Sequence, residues 1–182
     1  MQNKQIILGF TGLMSCGKGT VTKYLKEKHG AETFRFSTML RDVCSRLYME
    51  HSRDNLSGLS TVLRDFFGQD LMAKVMAKDV ANSQADLIVV DGIRRMEDIK
   101  YLRALANFKL VSIEADMKTR YERLIERGEN SDDKNKTWED FVADHQLETE
   151  LTILDTMKVA DIVINNDGDL EALQIQLDNL VK

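Results

Sequence analysis

Gly12-Leu13-Met14-Ser15-Cys16-Gly17-Lys18-Gly19-Thr20 holds the residue types that bind a chain of phosphates. It follows G-x-x-x-x-G-K-[ST] with one insertion, Gly19 standing between the lysine and the hydroxyl. Glycines at 12, 17 and 19 let successive backbone N–H groups turn inward around an anion, and a following helix adds the partial positive charge of its N-terminus. Lys18 reaches the outer phosphates as a point charge, and the Thr20 hydroxyl meets Mg²⁺. Gly12, Ser15, Cys16, Gly17, Lys18, Gly19 and Thr20 are therefore expected to hold a nucleotide, with Cys16 as a small loop residue facing inward.

A second candidate is the acid of Leu87-Ile88-Val89-Val90-Asp91-Gly92. It ends a buried apolar run, where ligands sit in open α/β sheets, and an aspartate there holds Mg²⁺ directly or through water. Taken alone, Asp-Gly is a common turn pair; beside a phosphate loop, the metal role is the stronger reading. Arg94 and Arg95 follow, and arginine's planar fork matches phosphate oxygens. Which of the two binds stays open. Arg120, Arg123 and Arg127 recur at three and four residues and share a helical face, interleaved with Glu122 and Glu126, a pattern equally suited to surface ion pairs. They lead into polar Gly128–Lys136, so a lid at about residues 120–138 is expected to cover the phosphate site.

The loop has meaning only between a strand and a helix. Ile6-Ile7-Leu8-Gly9-Phe10 suits a buried parallel strand, and Val21, Leu25 and Lys28 recur at helical spacing up to Gly30, a C-cap residue. Thr33–Phe36 predicts a second strand, running into a helix to about residue 50 capped by Ser37 or Thr38. Residues 51–57 predict a polar loop, and Leu59 to Met76 an apolar helical face broken near Gly68, with Met72 and Met76 in the core. After the strand ending at Asp91 come a helix to about Asn107, a strand Phe108–Ala115 and a helix from Asp116 or Thr119. A long helix Thr137–Val159, a strand Asp161–Asn166 and a closing helix with Leu170, Leu173, Ile175, Leu177 and Leu180 complete the chain. Alternating strands and helices predict a three-layer α/β fold on a parallel sheet of about five strands, in one domain over residues 1–182.

The chain's 182 residues are 43% hydrophobic and 30% charged, a globular composition. A net charge of −5 argues against a nucleic-acid binder, while the clustered arginines suit a small anionic substrate. No apolar run approaches the ~20 residues of a membrane span, and the first strand leaves no room for a signal peptide. Cys16 and Cys44 lack metal or disulfide spacing, which fits a cytoplasmic setting. His29, His51 and His145 are scattered and are expected at the surface. Oligomeric state is not encoded in any of these patterns.

These motifs together resemble the P-loop small-molecule kinases of the adenylate kinase and dephospho-CoA kinase type, over nearly the whole chain. The outline is most similar to the archaeal adenylate-kinase-related nucleotide kinases. The shared features are the Gly17-Lys18-Gly19-Thr20 ending, Asp91-Gly92-Ile93-Arg94, and Ala160-Asp161-Ile162-Val163-Ile164-Asn165-Asn166-Asp167-Gly168. The resemblance implies a P-loop NTPase fold with a small helical lid, ATP as phosphoryl donor, Mg²⁺, and a small-molecule acceptor, a nucleoside monophosphate first. It implies that Arg123 and Arg127, matching an Arg-x-x-x-Arg lid hinge, stabilise the transferring group beside Lys18. Ser37-Thr38-Met39-Leu40-Arg41 is similar to an acceptor-binding segment but lacks its Gly-Asp; Arg41, with Arg94 or Arg95, is then the acceptor-phosphate ligand. Dephospho-CoA kinase is the rival, since residues 160–168 match its adenine-side loop, although its Asp-x-Asp is replaced by Phe36-Ser37-Thr38. A nucleotide-driven regulatory switch is the alternative of another class; the chain lacks the Asn-Lys-x-Asp of GTP readers.

Overall fold

The computed structural model describes residues 5–127, 136–146 and 148–182. Five strands, β1 (Ile6–Thr11), β2 (Glu32–Arg35), β3 (Leu87–Asp91), β4 (Phe108–Glu114) and β5 (Ile162–Asn165), form one sheet in the order β2-β3-β1-β4-β5. All neighbours run parallel. Between them lie helices α1 (Lys18–His29), α2 (Phe36–Arg46), α3 (Arg53–Phe67), α4 (Leu71–Asn82), α5 (Met96–Ile99), α6 (Met117–Arg127), α7 (Trp138–Asp144), α8 (Glu148–Lys158) and α9 (Leu170–Leu180), with a 3-10 turn at Leu102–Ala104.

Strand residues alternate between two cores because side chains alternate across the pleat. Ile7, Ile88, Val90, Phe108 and Leu110 pack with Phe36 and Leu40 of α2 and Met72, Met76 and Val80 of α4. Leu8, Phe10, Val89, Val111, Ile113 and Ile164 pack with Val21 and Leu25 of α1 and Leu173 and Leu177 of α9. Helices therefore cover both faces, and the three-layer α/β arrangement expected from the alternation is present. β3 is buried at all five positions, as a central parallel strand must be. The chain leaves β1 toward the β2 edge and leaves β4 toward the β5 edge, so a crevice opens past the C-terminal ends of these two adjacent strands. The phosphate loop sits there.

Several boundaries differ from expectation. α2 begins at Phe36, directly off β2, with Arg35 at the cap and no side-chain cap, so Ser37 and Thr38 lie inside its first turn. Residues 53–57 are helical, because Ser52 Oγ accepts from Asn55 N at 3.2 Å and caps α3 early. The stretch after Asp91 is α5 and a 3-10 turn instead of one helix: Asp98 takes the N–H groups of Arg94 and Arg95, which hold the chain outside the helix. The expected 137–159 helix is two. His145 Nδ1 donates to the Phe141 carbonyl (2.7 Å), while His145 N goes to Val142 O, and the helical ladder ends. The break near Gly68 (φ 103°) and the Gly30 cap (φ 67°) are as expected. Among the described residues, no helix is long and apolar enough to cross a membrane.

Candidate functional site

The loop runs from the end of β1 at Thr11 to the start of α1 at Lys18. Gly17, the N-cap of α1, has φ 106°, and a Cβ there would lie 2.3 Å from Asn166 Nδ2, so the site accepts no side chain. Gly12 (φ 149°) is equally constrained: its Cβ would meet the Ile113 carbonyl at 2.6 Å. Ser15 takes a left-handed φ of 60°, an uncommon conformation for a residue with a Cβ. Its Oγ is buried without a hydrogen-bond partner among the described residues. The first turn of α1 carries no acidic residue and its N-cap makes no side-chain hydrogen bond, so no side chain of the helix's own start offsets its N-terminal dipole. Cys16 is buried, as expected, in the core beneath the loop.

Ser15, Gly17 and Thr20 line a cleft of about 280 Å³ together with Arg123 and Glu126 of α6. Arg123 Nη1 donates to the Asn166 carbonyl at 2.8 Å, and Asn166 Nδ2 donates to the Cys16 carbonyl at 2.8 Å. One buried residue after β5 thus clasps both the loop and the arginine that overhangs it. The sequence reading puts Asn166 at the end of the last strand, within the 160–168 segment, and gives it no contact with the phosphate loop; its signal was the polar Asn165-Asn166-Asp167 run at the C-terminal end of that strand. Lys18 Nζ lies over its own loop, donating to the carbonyls of Gly12 and Leu13 (2.9 Å for the latter) and approaching Cys16 Sγ at 3.6 Å. Arg127 lies on α6 with its side chain outside the described residues, as does the expected lid segment 128–135.

Asp91 ends β3 and is buried, with the exposed end of Arg35 against it. Arg35 is its register partner on β2, and both Nε (3.0 Å) and Nη2 (2.8 Å) reach Asp91 Oδ2. The sequence reading missed Arg35; its position at the end of the neighbouring strand was the available signal. The expected metal ligand is thus already ion-paired, which leaves Oδ1 or an intervening water for a cation. A hydroxyl (Thr20) and a carboxylate (Asp91) fit the few protein oxygens that Mg²⁺ takes when phosphates and waters supply the rest. No cluster of three or more potential ligands occurs among the described residues.

The acceptor candidates lie outside the lining of the 280 Å³ cleft. Arg41 is half-buried on α2, Arg94 is exposed and Arg95 is half-buried. The carboxylate of Asp98 pins the Arg94 and Arg95 amides at 3.0 and 3.1 Å, and burial, more than those bonds offset, pushes its pKa up. Arg64 on α3, absent from the sequence candidates, joins this group: burial and then the Arg95 charge push its pKa down. The Asp98 and Glu97 carboxylates oppose that shift, so negative charge already stands beside these guanidinium groups.

Arg120 departs from the face shared with Arg123. It is buried, with burial pushing its pKa down, and bonds the Ala115 and Met14 carbonyls and His145. His145 is likewise buried instead of at the surface. His29 is half-buried against Asp178, and His51 is exposed beside Ser45 Oγ.

Compared with known proteins, residues 8–148 match the model of a family described as AAA domain. A UPF0200 protein of Sulfurisphaera tokodaii is 27% identical over 97% of this chain and 96% of its own length. A UPF0200 protein of Methanoregula boonei is 28% identical over 96% of this chain and 95% of its own. Among solved structures, shikimate kinase from Bacteroides thetaiotaomicron superposes with a TM-score of 0.62 at 14% identity, covering 96% of each chain. TT1252 from Thermus thermophilus gives 0.59 at 17% identity, over 98% of this chain and 97% of that one. Both share the α/β fold of this protein.

Proposed function

The chain belongs to the AAA-domain family, and from that premise we propose that it is an ATP-dependent phosphotransferase whose acceptor is a nucleotide, a nucleoside monophosphate first. The observation that carries this is one cleft in which the loop residues Ser15, Gly17 and Thr20, at the uncapped N-terminus of α1, face Arg123. An anion supplies what these donors lack. Phosphoryl transfer needs positioning and charge neutralisation more than covalent chemistry.

Loop N–H groups and Lys18 bind the donor phosphates, Lys18 exchanging its loop carbonyls for phosphate oxygens. Arg123, aimed by the Asn166 carbonyl, takes charge that develops on the transferring group, and Arg127, four residues further along α6, is given the same role by its sequence position. Arg41, with Arg94 or Arg95, holds the acceptor phosphate. Thr20 and Asp91 would hold Mg²⁺, which would neutralise charge on the donor phosphates. Glu126 in the same cleft faces incoming phosphates with like charge and disfavours an unmetallated one.

The dephospho-CoA alternative draws on the Asn166 clasp, since it brings residues 160–168 against the loop. The test is ADP formation from ATP and Mg²⁺ with AMP, CMP, UMP, their deoxy forms and dephospho-CoA, with shikimate included because a shikimate kinase shares the fold. Turnover with one monophosphate is expected, and Lys18→Ala abolishes it while the fold persists. Full activity in Lys18→Ala rejects the assignment, and slow hydrolysis indifferent to every acceptor supports a regulatory switch.

A further inference from the structure

Arg120 is 3% exposed and His145 8% exposed, and Arg120 reaches the phosphate loop. The guanidinium bridges three elements. Nε donates to the Ala115 carbonyl just past β4 (3.0 Å), and Nη1 to the Met14 carbonyl in the loop (3.3 Å) and to His145 Nε2 at the end of α7 (2.6 Å). Phe141 closes the cluster, with its ring 5.7 Å from the guanidinium carbon and 4.7 Å from the imidazole.

The donor inventory assigns the imidazole. Arginine has no acceptor, so His145 Nε2 carries a lone pair; a carbonyl has no donor, so Nδ1 carries the proton given to Phe141 O. His145 is the neutral Nδ1–H tautomer, locked at both nitrogens.

The Met14 carbonyl and the Ser15 N–H belong to one planar trans peptide, so they point in opposite directions. Holding the carbonyl toward the buried guanidinium turns the Ser15 N–H away from it, on a residue that lines the cleft and sits at a left-handed φ of 60°. We propose that Arg120 and His145 are positioning residues: His145 fixes the guanidinium, and the guanidinium sets the Met14–Ser15 peptide so that its N–H is presented to the cleft. α7, which contributes no atom to the cleft lining, thereby governs the loop. That the presented amide serves a phosphate rests on the reading above; its orientation does not.

The test is hydrogen–deuterium exchange of the whole unliganded protein, followed at peptides covering residues 12–19, in His145→Ala and His145→Gln. Glutamine offers an acceptor oxygen to Arg120, and alanine offers none. The loop amides of His145→Ala are expected to exchange about tenfold faster, the scale of one lost buried hydrogen bond, with β1 and β4 unchanged and His145→Gln near wild type. If His145→Ala fails to fold, Arg120→Lys replaces it: one ammonium cannot span three acceptors in the fork geometry, so the same loop acceleration is expected. Loop exchange equal to wild type in the folded variant, or glutamine no better than alanine, overturns the proposal. Michaelis constants for ATP follow separately: accelerated exchange in a protein that binds no nucleotide leaves the strut standing and rejects the phosphotransferase.

Discussion

Gly17 and Asn166 make a sharp test of the clasp because each position limits the other. Gly17→Ala places a Cβ where the Asn166 amide nitrogen is 2.3 Å away and a φ of 106° is already required. The strained backbone costs about 1–2 kcal/mol. The clash also displaces the Asn166 amide and breaks its 2.8 Å bond to the Cys16 carbonyl, leaving a buried acceptor unpaired for about 1–3 kcal/mol more. Asn166→Ala alone loses that bond, for the same 1–3 kcal/mol. In the double variant the bond is lost once and no amide remains to clash, so the two changes couple by about 1–3 kcal/mol. Urea denaturation of the wild type, both single variants and the double variant reads this directly, at constant m-value. Purely additive losses would falsify the contact, as would an Asn166→Ala variant as stable as wild type.

Other expectations use the same framework. Arg123→Ala leaves fold and ATP binding near wild type but lowers kcat by about 10²-fold, corresponding to ~3 kcal/mol of transition-state charge stabilisation; a change confined to the Michaelis constant refutes that role. Arg35→Ala frees Asp91 Oδ2, so half-maximal turnover should need less Mg²⁺, while denaturation without Mg²⁺ shows a loss of about 1–3 kcal/mol because the buried Asp91 carboxylate is left without its partner. An unchanged or raised Mg²⁺ requirement argues against Asp91 as a ligand. Asp161 is opposed by burial, yet the Leu110 N–H at 2.7 Å and the Arg103 guanidinium prevail and hold its pKa below the usual carboxylate value. A depressed folded pKa means its stabilisation is complete above the unfolded value of ~3.9 and lost as pH falls through the folded one. Asp161→Asn should therefore lower Tm at neutral pH, and the difference should shrink below about pH 4; a gap independent of pH refutes it.

The strands were legible because buried parallel strands read as apolar runs, as Ile6–Phe10 and Leu87–Val90 do, while Phe108–Ala115 showed itself by partial alternation. The loop was legible because backbone geometry demands glycine at 12 and 17. Side-chain substitutions for backbone bonds were not legible. Ser52 capping α3, Asp98 holding Arg94 and Arg95, and the His145 ring taking the Phe141 carbonyl each moved a helix end. None of these leaves a periodic trace. Partners brought together by strand pairing were also hidden: Arg35 meets Asp91 across 56 positions, and Asn166 meets Cys16 across 150. Helical spacing put Arg120 with Arg123, yet spacing describes a face and not what covers it, and α7 covers Arg120.

The strand order also dictates when the protein can take shape. β1, made first, pairs with β3 and β4, and β2 at the sheet edge pairs with β3. A chain emerging from the ribosome therefore holds two strands with no mutual pairing until residue 87 appears, and the central strand stays unflanked on one side until residue 108. The clasp on the loop waits longer still, for Asn166. Nascent chains stalled before that point should be open to chaperones and proteases, and tight nucleotide capture would mark a chain whose sheet is nearly complete.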